Sequence, residues 1–296
     1  MASNAPSRLD RAAARPWWRG GRGGEPAAED RVGTAAADGA RGPAGPWWSG
    51  WAGVLPVASI AGLVLIWHVA ALLAENDRLL PSPAAVAAVL AESIADGELP
   101  YHLGVTLARV AISFVLAMAI GSAIGLAMGR SVLVDRLGGP WLVFFLNIPA
   151  LVTIILAYIW IGLTETAAIL AVAVNKIPNV TVTLREGSRA LDRDLLEMAA
   201  SFRLGPARTL RHVVLPQLAP YLAAAARSGL ALIWKIVLVV ELLGRSNGVG
   251  FQLGLFFQMF DVTSILAYSI AFVVVIQAIE FALLQPLERR VNRWRR

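Results

Sequence analysis

The chain has 296 residues, of which 57% are hydrophobic and 16% are charged, with a mean hydropathy of +0.64. Soluble domains carry about 25% charged residues, so this composition indicates a polytopic membrane protein. The net charge of +6 does not indicate nucleic-acid binding, because the arginines cluster in loops between apolar segments. Cysteine is absent, which excludes disulfides, thiolate catalysis and thiolate metal ligation.

Residues 1–46 are rich in Ala, Gly, Arg and Pro and contain no apolar run. Such a segment buries too little surface to fold alone, and it lacks the hydrophobic region of a secretory signal. We predict a disordered cytoplasmic tail over 1–46 and a transmembrane domain over 47–296, with its core at about 100–286. Aromatic anchors of the membrane interface are expected just before the first apolar segment, at Trp47, Trp48 and Trp51.

Six apolar segments follow, each close to the ~20 residues that a helix needs to cross a bilayer. Backbone groups in lipid must be hydrogen-bonded within the segment, so we predict helices and an all-α membrane protein. The fourth segment contains Lys176 and Pro178, which predict a possible kink. The segments are 52–74, 104–128, 141–163, 166–184, 221–243 and 264–285.

The arginines predict the orientation. With the N-terminus inside, the cytoplasmic segments hold two arginines in 130–136, six in 185–211 and five in 289–296. The outer loops hold only Arg78 and Arg245. This asymmetry predicts a multi-pass protein of the bacterial inner membrane with both termini in the cytoplasm. The outer loop after the first helix has an apolar pattern that predicts a short helix around Val86, Val89 and Leu90.

The second helix carries Gly121, Gly125 and Gly129 on one face. Small residues at this spacing let two helix backbones approach closely. We therefore predict that the three glycines serve helix packing, either within the subunit or across a dimer.

Both lysines of the chain, Lys176 and Lys235, fall inside predicted membrane helices. Charges at this depth are costly and usually face a bundle interior or an aqueous cavity. One interpretation is that the lysines attract an anionic substrate; the alternative is an ion pair with Glu241 or Glu280, or snorkelling to the interface. The fifth helix adds further candidate pathway residues, spaced by seven on one face: Arg227, Trp234 and Glu241.

The longest polar interruption runs over 192–216, between the fourth and fifth helices, and is therefore predicted to be cytoplasmic. Apolar residues recur at helical spacing on either side of Gly205-Pro206, and Leu215-Pro216 closes the stretch. The pattern predicts two short amphipathic helices joined by a tight turn and ending at Pro216.

This stretch resembles the cytoplasmic EAA loop of permease subunits of ATP-binding-cassette (ABC) importers. Glu197, Met198 and Ala199 match its opening, and Leu215 and Pro216 match its close at the family's spacing. One departure is that the family's central glycine falls on Arg203, with Gly205 two positions later.

The resemblance extends over about residues 80–260 and is closest to the nitrate, sulfonate and taurine branch of these importers. The residues that carry it outside the loop are Leu80 to Pro83, Gly97 to Leu99, His102, Thr106, Leu107, Arg109, the three helix glycines, Trp234, Glu241 and Ser246 to Gly250.

The resemblance implies six transmembrane helices in the type I importer fold, with two permease subunits, two ATPases and an extracytoplasmic solute-binding protein. A homodimer is expected, because one chain carries one such loop; a heterodimer stays open. The region 190–217 would couple to the ATPase through Glu197, Met198, Ala199, Arg203, Gly205, Leu215 and Pro216. Arg203, Arg208 and Arg211 would pair with acidic residues of the ATPase, or alternatively bind lipid head groups.

No Walker A sequence occurs in the chain, so we expect no enzyme activity and no cofactor here, with ATP and Mg²⁺ held by the ATPase. The expected cargo is a small anionic or zwitterionic nutrient of the sulfonate, taurine or nitrate type, imported by alternating access.

Three other classes remain open. A secondary carrier driven by an ion gradient predicts similar halves with interrupted helices at matching positions, and Pro178 has no matching interruption. A membrane enzyme predicts clustered His, Asp or Glu, whereas His68, His102 and His212 are far apart. A purely structural membrane subunit is opposed only by the pattern from Glu197 to Pro216.

Overall fold

The computed structural model describes residues 54–284 apart from Glu75 and Asp77, together with Pro286. The predicted tail, Trp47, Trp48, Trp51 and the arginines in 289–296 lie outside these residues. Within the described ranges the chain forms helices and no strand, which confirms the all-α class.

Eleven α-helices occur in the described part of the chain: α1 (Val54–Ala74), α2 (Pro83–Ala95), α3 (Glu98–Arg130), α4 (Val132–Asn147), α5 (Ala150–Ile161), α6 (Glu165–Arg189), α7 (Arg193–Ser201), α8 (Pro206–Thr209), α9 (Leu215–Gly244), α10 (Val249–Gln258) and α11 (Val262–Ile279). Two π-helical turns, Leu210–Val214 and Glu280–Leu284, extend the set. The predicted short helix after the first span is α2, which Ser82 caps by accepting a hydrogen bond from the N–H of Ala85.

Five described helices are long and apolar enough to cross a membrane: α1, α3, α6, the continuous helix from α8 to α9, and α11. A sixth span is present if α4 and α5 count as one span, although they are bent by 97°. The six predicted segments are therefore helical, but the third, 141–163, is not the single helix that was predicted. The break lies at Ile148, whose backbone is extended, because the following Pro149 disfavours helical geometry at the residue before it.

The fourth span is more regular than the sequence predicted. Pro178 lies inside an uninterrupted α6, even though proline removes one helical hydrogen bond. More than half of the most apolar window of α6 is buried against neighbouring helices. This packing stabilises the helix where the backbone hydrogen bond is missing, so the possible interruption at this proline does not occur.

The prediction of a second short helix ending at Pro216 was wrong. The chain from Pro206 to Gly244 is one continuous helix of 39 residues. Pro216 stands in the first turn of α9, where the preceding π turn has already widened the hydrogen-bond pattern: the N–H of Leu215 donates to the carbonyl oxygen of Leu210. Proline is tolerated here because the helical hydrogen-bond pattern is already irregular at the π turn.

The core forms around α3, α6 and α9. The three glycines of α3 face α6, and a Cβ built on Gly125 would lie 2.7 Å from the carbonyl oxygen of Thr181. A Cβ on Gly121 would lie 2.7 Å from the Cβ of Val180, and one on Gly129 would overlap Ser188. The geometry therefore places these glycines in packing within the subunit, where they allow the two backbones to touch.

We predict that Gly125→Ala destabilises the protein by about 1–3 kcal/mol, because its new methyl group would press on backbone atoms of α6 that cannot rotate away. Gly104→Ala is the matched control: Gly104 is also in α3, and a Cβ there meets nothing within 4 Å. Thermal unfolding in detergent measures both. Equal unfolding temperatures for the two variants would contradict the close approach.

Candidate functional site

A buried cluster of charged side chains joins α3, α6 and α9 near one end of the bundle. Arg109 of α3 has a side chain that is only 4% exposed, and Glu241 of α9 is completely buried. The Nε and Nη2 of Arg109 donate to the two oxygens of Glu165 at 2.8 and 2.6 Å, and its Nη1 donates to Glu241 at 2.7 Å. One guanidinium therefore links the carboxylates of two other helices.

The same guanidinium holds the connection between α9 and α10. Nη1 of Arg109 also donates to the carbonyl oxygen of Asn247 at 2.8 Å, and Nη2 donates to the side-chain oxygen of Asn247. Arg245 adds a second basic group: it donates to Glu165 at 2.6 Å and to the carbonyl oxygen of Leu163 at 2.6 Å. The loop after α9 is thus fixed to α3 and to the start of α6.

Three consecutive backbone N–H groups at the start of α10 donate hydrogen bonds to buried side chains. Gly248 donates to Nδ1 of His102, Val249 donates to the hydroxyl of Thr106, and Gly250 donates to Glu241, each at 2.9 Å. Thr106 lies within hydrogen-bond distance of Glu241 as well, at 2.9 Å. These three buried N–H groups therefore each have a partner, as burial requires.

Gly248 has a φ of 106°, and a Cβ on it would overlap the carboxylate of Glu241. A residue with a side chain cannot take this position without both backbone strain and a clash. The glycine in the Asn-Gly-Val-Gly run is therefore required by the close approach of the loop to the buried carboxylate.

The tautomer of His102 follows from the same contacts. A backbone N–H can only donate, so Nδ1 of His102 accepts from Gly248 and the neutral ring carries its proton on Nε2. The side-chain amide of Gln252 lies 2.8 Å from this Nε2. Since Nε2 donates, the amide oxygen of Gln252 belongs at this contact.

This cluster is a structural clamp. Its charges are compensated by one another, and no group of three or more His, Asp or Glu that could hold a metal ion occurs among the described residues. The histidine, threonine, arginine and glycine positions found by resemblance converge here. Sequence reasoning missed Glu165, although an arginine in the apolar α3 requires a carboxylate partner, and Glu165 directly follows Thr164, the N-cap of α6.

The candidate pathway residues do not share one environment. Trp234 and Glu241 are buried inside the subunit, whereas Arg227 and Lys235 are exposed on α9. The alternative of an ion pair between a lysine and Glu241 was wrong, because Arg109 is the partner of Glu241. Lys176 is 2% exposed and packs against Gly229, and it forms no ion pair within the described residues.

The 192–216 stretch lies at the other end of α6. Asp192 caps α7 by accepting a hydrogen bond from the N–H of Asp194 at 2.8 Å, and its own N–H donates to Gln217 of α9 at 2.8 Å. Ala199 is buried, while Glu197 and Met198 are exposed and Phe202 is 75% exposed. One face of α7 therefore packs on the bundle, and the other face is exposed.

Arg203 occupies the position at which the family pattern has its central glycine. It has a φ of 51°, and its N–H and that of Leu204 donate to the carbonyl oxygens of Ala200 and Ala199, each at 2.9 Å. This is the arrangement that usually ends a helix with a glycine. The position that the resemblance assigns to glycine thus keeps the conformation that favours glycine, with an arginine in its place.

A second ion-pair group lies near this stretch. Asp135 at the start of α4 accepts hydrogen bonds from Arg185 at 2.5 and 2.9 Å and from Arg189 at 2.6 Å. Both arginines are in the last two turns of α6. The contacts fix the beginning of α4 to the end of α6.

Comparison with known proteins places these features in a family. The model of the family "Binding-protein-dependent transport system inner membrane component" matches residues 98–293. The putative aliphatic sulfonates transport permease protein SsuC of Escherichia coli (strain K12) is 30% identical over 234 residues, which cover 79% of this chain and 89% of that protein. The taurine transport system permease protein TauC of the same strain is 27% identical over 246 residues, covering 81% and 89%.

A solved structure shares the fold. The inward-facing MetNI methionine ABC transporter matches with a TM-score of 0.54 at 21% identity, over 64% of this chain and 93% of the MetNI chain. This likeness confirms the type I importer permease fold. The relatives named for sulfonates and taurine confirm the branch that the sequence resembles.

We predict that Arg109→Met destabilises the protein by about 3–5 kcal/mol, because it leaves Glu241 buried without its cationic partner. The double variant Arg109→Met/Glu241→Met should unfold at a higher temperature than Arg109→Met alone, since it removes the uncompensated charge. Arg185→Met is the control and should cause a smaller loss, because its partner Asp135 is partly exposed. Thermal unfolding of the three variants tests this order; a double variant less stable than Arg109→Met would contradict it.

Proposed function

The chain belongs to the family of binding-protein-dependent transport system inner membrane components, and from this membership we propose how it works. It forms one half of the translocation pathway of an ATP-driven importer. Membership implies an ATPase and a solute-binding protein as partners. The chain performs no bond-making chemistry, and ATP with Mg²⁺ is held by the ATPase.

The observation that carries the proposal is the exposed face of α7. Met198 and Phe202 are large apolar side chains open to the surroundings, and Glu197 lies beside them. Exposed apolar side chains rimmed by charges are typical of a protein contact. We propose that this face docks on the ATPase, with Arg203, Arg208 and Arg211 available for acidic partners.

The other predicted coupling residues connect α7 to the rest of the subunit. Ala199 is buried and seats α7, which packs on the π turn Leu210–Val214. Leu215 and Pro216 lie in the first turn of α9, and the bond from Asp192 to Gln217 ties the start of α7 to the same helix. A displacement of α7 by the ATPase therefore moves α9, which runs on to Glu241.

We propose that α7 lies in the cytoplasm and that both termini do as well. The distribution of charge supports this orientation. Arg185, Arg189 and the arginines of the 192–216 stretch share one end of the bundle, whereas Arg245 lies in the clamp at the other end. Positive charge near membrane helices concentrates on the cytoplasmic side.

The pathway is proposed to form between two copies of this chain. Each copy carries one α7 segment, and the importer architecture has two ATPases to be contacted. A homodimer supplies two docking faces without another protein. A heterodimer with a similar permease would do the same, and the mass of the purified complex distinguishes the two.

The proposed cargo is a small anionic or zwitterionic nutrient. The support is the set of relatives, which are named for aliphatic sulfonates and for taurine. Lys176 adds a physical reason: a buried cationic side chain in the middle of a membrane helix favours an anion nearby.

We predict that Glu197→Ala lowers the coupling between ATP hydrolysis and uptake while leaving the permease folded, because Glu197 is exposed and its side chain forms no hydrogen bond or ion pair with the described residues. The complex would be purified in mild detergent, its subunits identified by mass spectrometry, and its ATPase activity and uptake measured in proteoliposomes. Arg136→Ala, an exposed charge on α4, is the control.

Unchanged uptake and unchanged ATPase association in Glu197→Ala would contradict the role of α7. Purification of the chain without any ATPase, even after crosslinking through α7, would contradict the proposed mechanism as a whole.

We predict that Lys176→Met lowers the uptake of an anionic substrate severalfold, because it removes a positive charge from the middle of the membrane. Lys235→Met is compared in parallel, since Lys235 is exposed on α9 and would contact substrate directly. Uptake by proteoliposomes and thermal unfolding are measured together. Normal uptake with a changed unfolding temperature would show that Lys176 has a structural role only.

A further inference from the structure

The uncovered surface of α6 carries a row of polar side chains, with Val174 exposed beside it. Asn179 and Glu186 are exposed, and Asn175 and Thr183 are half-buried. Steps of four, four and three residues place these four side chains on one face of the helix. By contrast, most of the large residues that α1 exposes are apolar, with His68 as an exception.

With α6 spanning the bilayer, Asn175 and Asn179 of this face lie close to the membrane centre. The helix α6 has 25 residues, which span about 37 Å at a rise of 1.5 Å per residue. Asn179 is about 21 Å from the first residue and about 15 Å from the last. The hydrocarbon core is about 30 Å thick, so an amide at this position is far from either interface.

The side chains on this face satisfy only part of their hydrogen-bonding capacity within the subunit. The amide of Asn179 donates to the carbonyl oxygen of Asn175 at 3.5 Å, and the hydroxyl of Thr183 donates to the carbonyl oxygen of Asn179 at 3.1 Å. The side-chain oxygen of Asn179 accepts no hydrogen bond from the described residues. Lipid offers no donor to such an oxygen, so contact with lipid would be costly.

The broken span supplies a second, independent observation. The side-chain amide of Asn175 donates to the carbonyl oxygen of Ala150 at 3.5 Å, so the break between α4 and α5 lies at the same depth as the polar face. Non-helical backbone at membrane depth occurs only where it is buried in protein or lines a water-filled cavity. Asn147, the last residue of α4, is exposed beside this break.

We propose that Asn175, Asn179 and Thr183, together with the α4–α5 break, form one wall of a water-filled pathway at the middle of the membrane. Their amide and hydroxyl groups replace hydration water around a small, strongly hydrated solute such as an oxyanion. Lys176 is the next residue after Asn175, but its side chain is buried against Gly229 and does not belong to this wall. The inference rests on the proposed transport function and assigns it a location.

Single cysteines test the wall, because the chain has no cysteine of its own. Asn179→Cys is placed on the proposed wall, and Val115→Cys is the matched control: Val115 is exposed near the middle of α3 and is surrounded by lipid if the proposal holds. Val180→Cys is the buried control. A water-soluble methanethiosulfonate reagent is added to the assembled complex in proteoliposomes.

We expect Asn179→Cys to react at least about tenfold faster than both controls, because the reagent attacks the thiolate, which forms in water and is suppressed in apolar surroundings. A rate as slow as that of Val115→Cys would overturn the proposal. So would a disulfide between two copies at position 179 on mild oxidation together with protection from the reagent, since the face would then be a closed subunit contact.

A second pair of variants tests whether the solute uses this wall. Asn179→Leu should lower uptake at least about tenfold, whereas Asn179→Gln, which keeps the amide, should retain most of it. Equal uptake by the two variants would overturn the role in solute passage. The labelling is read without substrate or ATP, and the presence of an ATPase in the purified complex is scored separately, so failure of the proposed function is distinguishable from failure of the wall.

Discussion

The structure depends on one guanidinium placed between two carboxylates. Arg109 lies inside an apolar bundle, where an isolated charge would be prohibitively costly, and it is tolerated because Glu165 and Glu241 come from two other helices to meet it. Satisfying this one group fixes the relative positions of α3, α6 and α9. It also fixes the segment after α9, because Asn247 accepts a hydrogen bond from Arg109 and the N–H of Gly250 donates to Glu241.

Two long helices connect the two ends of the bundle. The α8–α9 helix begins beside α7 and reaches Glu241 near its last turn. The α6 helix contributes Glu165 at one end and the arginines that bind Asp135 at the other. Under the proposed docking of α7 on the ATPase, these two helices connect α7 with the clamp.

Periodicity and hydropathy predicted the helical class, five of the six spans and the short helix α2, because these follow from local composition. Two features could not be obtained in this way. The first is the effect of proline, because Pro149 accompanies a helix break whereas Pro178 and Pro216 lie within continuous helices. Tertiary packing around α6 accounts for Pro178, and the π turn accounts for Pro216. The partner of Glu241 was also mistaken, since pairing across 132 positions is decided by helix packing and not by spacing along α9.

The first helix has a consequence for biogenesis. Only 6% of its most apolar window is buried, and its described polar tie to the rest is the bond from the indole N–H of Trp67 to the carbonyl oxygen of Pro81. The matched family region begins after it, at residue 98. Because so little of α1 is buried against other helices, it can insert into the bilayer alone and early, before the buried charges of α3 have any partner. Its insertion would then set the direction in which every later helix is threaded.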